Sequence, residues 1–250
     1  MTTEVAVMTT EVAEMTQVAA RPHPFPLALA SAALLVIDMQ NDFCHPDGYC
    51  LGTLGADAAT ARRVRGIIPR IERVRDWARQ NTLPVFYTRE SHRSDLSDLT
   101  ASKRLRYENA GYPVGSQGRM GRFLVQGEPG CAIIDELTPA AGETALDKPA
   151  HSAFVGTSLE TALRGRGITH LLLTGLTTQC CVLATYRAAA DLGFWPLLLE
   201  DCCAAFDARD HQAAVDVLTS EGGAVGWVAA AAALFAIGKE ETRCEMRQEA

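Results

Sequence analysis

The block "AALLVIDMQ" (residues 32–40) is an unbroken apolar run that meets its first charge at Asp38. Strands half-exposed to water alternate apolar and polar residues, so an unbroken run belongs to a strand covered on both faces. An amphipathic stretch follows, with Val64, Ile67, Ile68, Ile71, Val74, Trp77 and Ala78 at helical spacing. Pro69 requires that this helix kink or begin near Ile67. The alternation then repeats. "LPVFYTR" reads as a strand, residues 91–130 as a Gly- and Arg-rich excursion, "ETALDK" as a strand, "SLETALRGRG" as a helix and "ITHLLLTG" as a strand. A helix through "VLATYRAAADLG" leads to the strand "FWPLLLEDCC". The helix "ARDHQAAVDVLTSEGG", a short strand "AVGWV" and an alanine-rich closing helix complete the pattern.

Strand, helix and strand joined by short connections specify an α/β chain. The expected architecture is a single-domain, doubly wound, mostly parallel sheet with helices on both faces. At 250 residues one full core can be buried without division into two domains. The domain is assigned to residues 25–238. Residues 1–24 hold a short repeat, "MTTEVAV", "MTTEVAE", then "MTQVA", with too few copies to sustain a coiled coil. Thr and Val are also poor helix formers, so this part is assigned as a flexible N-terminal extension. Residues 239–250 are assigned as a charged C-terminal tail.

A net charge of -7 and a pI near 5.4 offer no general attraction to nucleic acid or to an anionic membrane. The alanine-rich run "VAAAAALFAIG" is too short to span a bilayer. Eight cysteines would permit four disulfides on paper. The acidic N-terminus, however, lacks the charged and apolar regions of a secretory signal. The expectation is therefore a cytoplasmic protein with reduced thiols.

In open parallel sheets ligands bind beyond the carboxyl ends of the strands. Asp38, Lys148 and the pair Cys180–Cys181 all fall at or just past such ends. Each has a bland explanation when taken alone. Asp38 could cap the next turn, Lys148 could pair with Asp147 at the surface, and His151 could be a loop residue. Phe43 could be pocket wall or core. The cysteines stand where a strand gives way to a helix, and free backbone N–H groups there both acidify a thiol and stabilise an oxyanion. No C-x-x-C or H-E-x-x-H spacing supports a zinc site.

Taken together, "LLVIDMQNDF", "VFYTRESHRSDLSD", "GEPGCAIIDELTPAAGETALDKPAHSAF", "TGLTTQCCVLATYRAAADLGF" and "EGGAVGWV" resemble the isochorismatase-like cysteine hydrolases over roughly residues 30–230. The resemblance is nearest to biuret hydrolases and other ureide amidohydrolases. It implies Asp38 as catalytic acid, Lys148 as catalytic lysine and Cys181 as nucleophile. Cys180 falls where the family carries an aliphatic residue, which implies packing. The family's non-proline cis peptide matches Leu176–Thr177 and aims the Thr177 N–H at an oxyanion, with the Cys181 N–H as second donor. The implied reaction is thiolate attack on an amide carbonyl, protonation of the departing nitrogen by Asp38, and hydrolysis of the resulting acyl-enzyme. No metal or other cofactor is expected, because "RESHRSD" lacks the second histidine of the metal-binding nicotinamidases. Relatives assemble, so a homodimer or homotetramer is expected.

The chain departs from biuret hydrolases at His151, where they carry lysine, and at Glu221, where they carry glutamine. Losing a cation and gaining an anion favours a cationic substrate such as guanylurea. Phe43, His151 and Glu221 are thus the expected substrate-binding residues. The alternatives are biuret itself, another small amide or lactam, or a catalytically silent binding protein of the same fold.

Overall fold

The computed structural model describes residues 15–237. The chain enters through an antiparallel hairpin, β1 (Met15–Val18) paired with β2 (Phe25–Ala28). This corrects the assignment of residues 15–24 to a flexible extension. Val18, Phe25 and Leu27 are buried in the main core, as alternating apolar residues of a covering hairpin should be. The Thr and Val content that argued against helix suits a strand. Residues 1–14 and the tail 239–250 lie outside the described residues.

β3 (Ala32–Ile37) leads through a single turn, α1 (Asn41–Cys44), to α2 (Ala58–Arg65) and α3 (Ile68–Gln80). The break between α2 and α3 falls at Gly66–Ile67, and Pro69 occupies the first turn of α3, where its missing N–H costs nothing. β4 (Val85–Glu90) follows. The excursion after it contains α4 (Ala101–Asn109) and the short hairpin β5 (Gln117–Gly118) with β6 (Gly121–Arg122). Asp57 and Thr100 cap α2 and α4 through their side chains. Then come β7 (Thr144–Lys148), α5 (Leu159–Arg164), β8 (His170–Leu176), α6 (Leu183–Asp191), β9 (Trp195–Ala204) and α7 (Ala208–Leu218). β10 (Trp227–Ala229) and one turn of helix, α8 (Ala232–Phe235), end the described chain. The alanine-rich helix is shorter than expected because its first residues belong to β10.

The main sheet has the order β10-β9-β8-β3-β4-β7, and every pairing in it is parallel. Alternation along β3 shows why the run is apolar throughout. Leu34 and Val36 join a core with Ile71, Val74 and Ala78 of α3, while Leu35 and Ile37 join another with Leu159, Leu163 and Tyr186 of α5 and α6. Both faces are covered, so the sheet is doubly wound in a single domain. Among the described residues no helix is long and apolar enough to cross a membrane, and the cysteines there are all free.

Candidate active site

Four adjacent strands, β8, β3, β4 and β7, each deliver one functional side chain at or just past their carboxyl ends. β3 ends into Asp38, which takes a left-handed backbone (φ 51°) that turns the chain sharply out of the sheet. β4 ends in Glu90 and β7 in Lys148, and these two are register partners. β8 runs into a wide π-type turn, Thr178–Val182, that presents Cys181. The Leu176–Thr177 peptide is cis, as the resemblance implied.

Gly175 makes this junction possible. Its φ is 111°, and a Cβ there would lie 2.0 Å from the Ile37 carbonyl oxygen. Glycine therefore lets β8 press against the end of β3, bringing the cysteine turn beside Asp38.

The fully buried Lys148 ammonium is the hub. It lies 2.8 Å from Asp38 Oδ2, and it donates to Cys181 Sγ at 3.4 Å and to the Ala150 carbonyl at 2.9 Å. Thr88 donates its hydroxyl to Asp38 Oδ1 at 2.6 Å. Cys181 in turn donates to Glu90 Oε2 at 3.2 Å. The other Glu90 oxygen receives the Tyr107 hydroxyl at 2.7 Å and the Lys103 ammonium at 2.5 Å. Asp38, Glu90 and Cys181 also form a group whose donor atoms are close enough to share one metal ion. The Lys148 ammonium, 3.7 Å from Glu90, already places a positive charge among them.

Burial pulls Lys148 toward the neutral form, but Asp38, Cys181 and Glu90 more than reverse this and leave it strongly protonated. Burial likewise opposes ionisation of Glu90, and Lys148, Lys103 and Tyr107 overcome it, so Glu90 is held as an anion. The Cys181 thiol is pushed up, first by its contact with Cys180, then by burial, with Lys148 pulling the other way. Cys180 is drawn down to about 5 by its contact with the Cys181 thiol, against burial and with help from His151.

A cavity of about 540 Å³ opens above this cluster. Asp38, Glu90 and Cys181, all buried, form its floor. Phe43, Tyr107, Tyr112, Phe123 and Phe206 wall it, and the exposed Gln179 and Asp210 stand at its rim. Its lining includes no lysine, arginine or histidine.

Of the residues singled out from sequence, Asp38, Lys148, Cys181, Thr177 and Phe43 come together here. His151 does not line the cavity; it stands behind the wall, 3.4 Å from the Tyr107 hydroxyl, and is held toward its protonated form by Cys180. Glu221 does not join them within the chain. It is exposed and precedes β10, so it sits at the amino edge of the parallel sheet, opposite the cavity. α7 carries the chain across from one edge to the other. Cys180 also differs from expectation, since it lines the cavity as well as touching the core.

Glu90, Lys103, Tyr107 and Asp210 were missed. Glu90 stands at a strand end like Asp38 and Lys148 and was open to the same argument. Lys103 and Tyr107 come from α4, inside a segment with no apolar run to announce it.

A parallel α/β sheet with a thiol, an ammonium and a carboxylate converging on its carboxyl edge defines an isochorismatase-like hydrolase fold. Residues 32–230 match the isochorismatase domain, and the chain belongs to the isochorismatase family. It is 33% identical over 201 residues to the ureidoacrylate amidohydrolase RutB of Yersinia enterocolitica, covering 79% of this chain and 82% of that protein. A cysteine hydrolase from Pseudomonas syringae pv. phaseolicola is similar in structure, with a TM-score of 0.70, 26% identity, and coverage of 88% of this chain and 95% of that one. The N-carbamoylsarcosine amidase of Thermoplasma acidophilum gives a TM-score of 0.60 at 28% identity, covering 80% and 96% of the two chains.

Proposed function

We propose that this chain is a cysteine-dependent amidohydrolase that cleaves the terminal C–N bond of a small cationic ureide, such as guanylurea, with release of ammonia. The observation that carries the assignment is the placement of Cys181 Sγ on a cavity floor, 3.4 Å from Lys148, which itself lies 2.8 Å from Asp38. Cys181, whose S–H rests on Glu90 Oε2, turns that proton to Asp38, whose carboxylate lies within 4.8 Å of the sulfur, and attacks the ureido carbonyl carbon. The Thr177 and Cys181 N–H groups hold the oxyanion. Asp38 returns the proton to the departing nitrogen, so ammonia leaves and a thiocarbamate-type acyl-enzyme remains. Water, deprotonated by Asp38, then attacks the same carbon and frees Cys181. Lys148 stays beside both Asp38 and the sulfur and steadies the thiolate once the proton has moved.

Two relatives support a ureido substrate, since ureidoacrylate and N-carbamoylsarcosine both carry a carbamoyl group on nitrogen. Both of those compounds are also acids. The cavity floor here presents Asp38 and Glu90, and the lining carries no basic side chain, which disfavours a carboxylate and favours a cation. Glu90 thus takes over the part first given to Glu221.

The test is ammonia release from guanylurea, biuret, ureidoacrylate and nicotinamide by the wild type and Cys181→Ala. Guanylurea turnover that vanishes in the variant is expected. Preference for biuret would keep the nucleophile and reject the cation; turnover surviving in Cys181→Ala would reject the nucleophile.

A further inference from the structure

Glu90 is held in an unusual position for a side chain with no assigned role. Its side chain is 2% exposed, yet it forms part of the cavity floor. One oxygen, Oε1, is committed to Lys103 and Tyr107, and Lys103 is itself fixed by the Pro149 carbonyl at 2.8 Å. The other, Oε2, lies 3.2 Å from Cys181 Sγ. The carboxylate is therefore clamped from behind and aimed at the nucleophile.

Hydrogen-bond capacity shows what Oε2 does in the resting site. Lys148 donates to the Ala150 carbonyl and to the Cys181 sulfur, and its ammonium pairs with Asp38 at 2.8 Å. Cys181 thus accepts from Lys148, and its own proton goes to Glu90. A carbonyl carbon drawn to within about 3–3.5 Å of that sulfur brings the nitrogens on either side of it within reach of Oε2.

Charge then selects the kind of nitrogen. Oε1 is paired with Lys103 while Glu90 lines the cavity beside the nucleophile through Oε2, and an anionic acceptor binds a cationic N–H more strongly than a neutral amide N–H.

We infer that Glu90 is the specificity-determining residue of this site, its Oε2 accepting an N–H from the cationic amidine group of a ureide whose carbonyl is presented to Cys181. The inference rests on the proposed cationic-ureide activity. A purely structural Glu90 would, when changed, depress all substrates alike. A recognition residue changes their ratio.

The experiment compares kcat/KM for guanylurea and for biuret, a neutral near-isostere, in the wild type, Glu90→Gln, Glu90→Asp and Asp210→Asn. The wild type is expected to prefer guanylurea. Glu90→Gln should lower that preference at least about 30-fold, Glu90→Asp should fall between, and Asp210→Asn should retain most of it. A preference that survives Glu90→Gln, or that is lost only in Asp210→Asn, overturns the inference and leaves the cationic-ureide function standing. A wild type that prefers biuret overturns both, and does so before any substitution is made. Because Glu90→Gln leaves the buried Lys103 without its carboxylate partner, a measurement on the unaltered chain accompanies it: inhibition by guanidinium against inhibition by urea, at matched ionic strength and sub-denaturing concentration. Guanidinium should bind at least about tenfold more tightly. Equal inhibition by the two overturns the assignment.

Discussion

Lys148 and Asp38 form an ion pair at 2.8 Å in which neither side chain reaches solvent, and Glu90 and Cys181 close the other sides of the ammonium. A buried pair of this kind gives little net stability as a pair, but removing one member leaves an uncompensated charge in the core. Lys148→Met should therefore abolish turnover and lower folding stability by about 3–5 kcal/mol. Urea denaturation of the two proteins checks this. A stable, active Lys148→Met chain would remove the lysine from the centre of the site.

Thr88 gives Asp38 its shortest hydrogen bond, 2.6 Å to Oδ1, in a fully buried position. Thr88→Val keeps the shape and deletes the donor, so one carboxylate oxygen loses its partner. Stability should fall by about 1–3 kcal/mol, read from urea midpoints, and kcat should fall with it. Unchanged kcat would show that Asp38 needs no such orientation.

Gly175 lies against the Ile37 carbonyl with no room for a methyl group and with φ at 111°. Gly175→Ala is expected to cost more than about 3 kcal/mol, or to prevent soluble expression, because both backbone and neighbour must move. Thermal unfolding tests this directly, and a variant melting within a few degrees of the parent would contradict it.

Cys180 is the largest influence raising the Cys181 thiol. Replacing it with alanine removes that influence, so Cys181 should ionise at lower pH. The rising acidic limb of the kcat/KM profile for Cys180→Ala should shift to lower pH, and so should the pH dependence of iodoacetamide alkylation at Cys181. A limb that stays put or moves upward would mean that the vicinal thiol does not govern the nucleophile.

Asp42 supports the cavity wall, its carboxylate accepting the Leu124 N–H at 2.9 Å. Burial raises its pKa from 3.8 to about 6, against the pull of the Leu124 and Tyr49 N–H groups. The folded chain thus binds this proton more tightly than the unfolded one. The resulting stabilisation is complete below the unfolded value and disappears as pH rises through about 6. Asp42→Asn should gain on the wild type by roughly 2–3 kcal/mol between about pH 4 and 7. Urea midpoints across that interval measure it, and a difference independent of pH would show that Asp42 titrates normally.

Much of this architecture was legible in the chain because burial on two faces leaves an unmistakable mark. The unbroken runs at 32–37 and 170–176 admit no exposed face, and helices with one apolar stripe separate them, so a covered parallel sheet follows from solvation alone. The ends of those runs then locate Asp38 and Cys181, and the end of the shorter strand at 144–148 locates Lys148. The hairpin at residues 15–28 was illegible, since four-residue strands carry too little pattern to stand out.

What the chain by itself determined is the sheet, its two covered faces and the three residues at its carboxyl edge. Tertiary structure alone decided what surrounds them. It brought Lys103 and Tyr107 from a polar excursion onto Glu90, turned Cys180 toward the cavity, and carried Glu221 to the far edge of the sheet. The reason is physical. Periodicity records which residues avoid water, whereas the meeting of buried charges depends on how elements distant in sequence pack, and no local pattern encodes that.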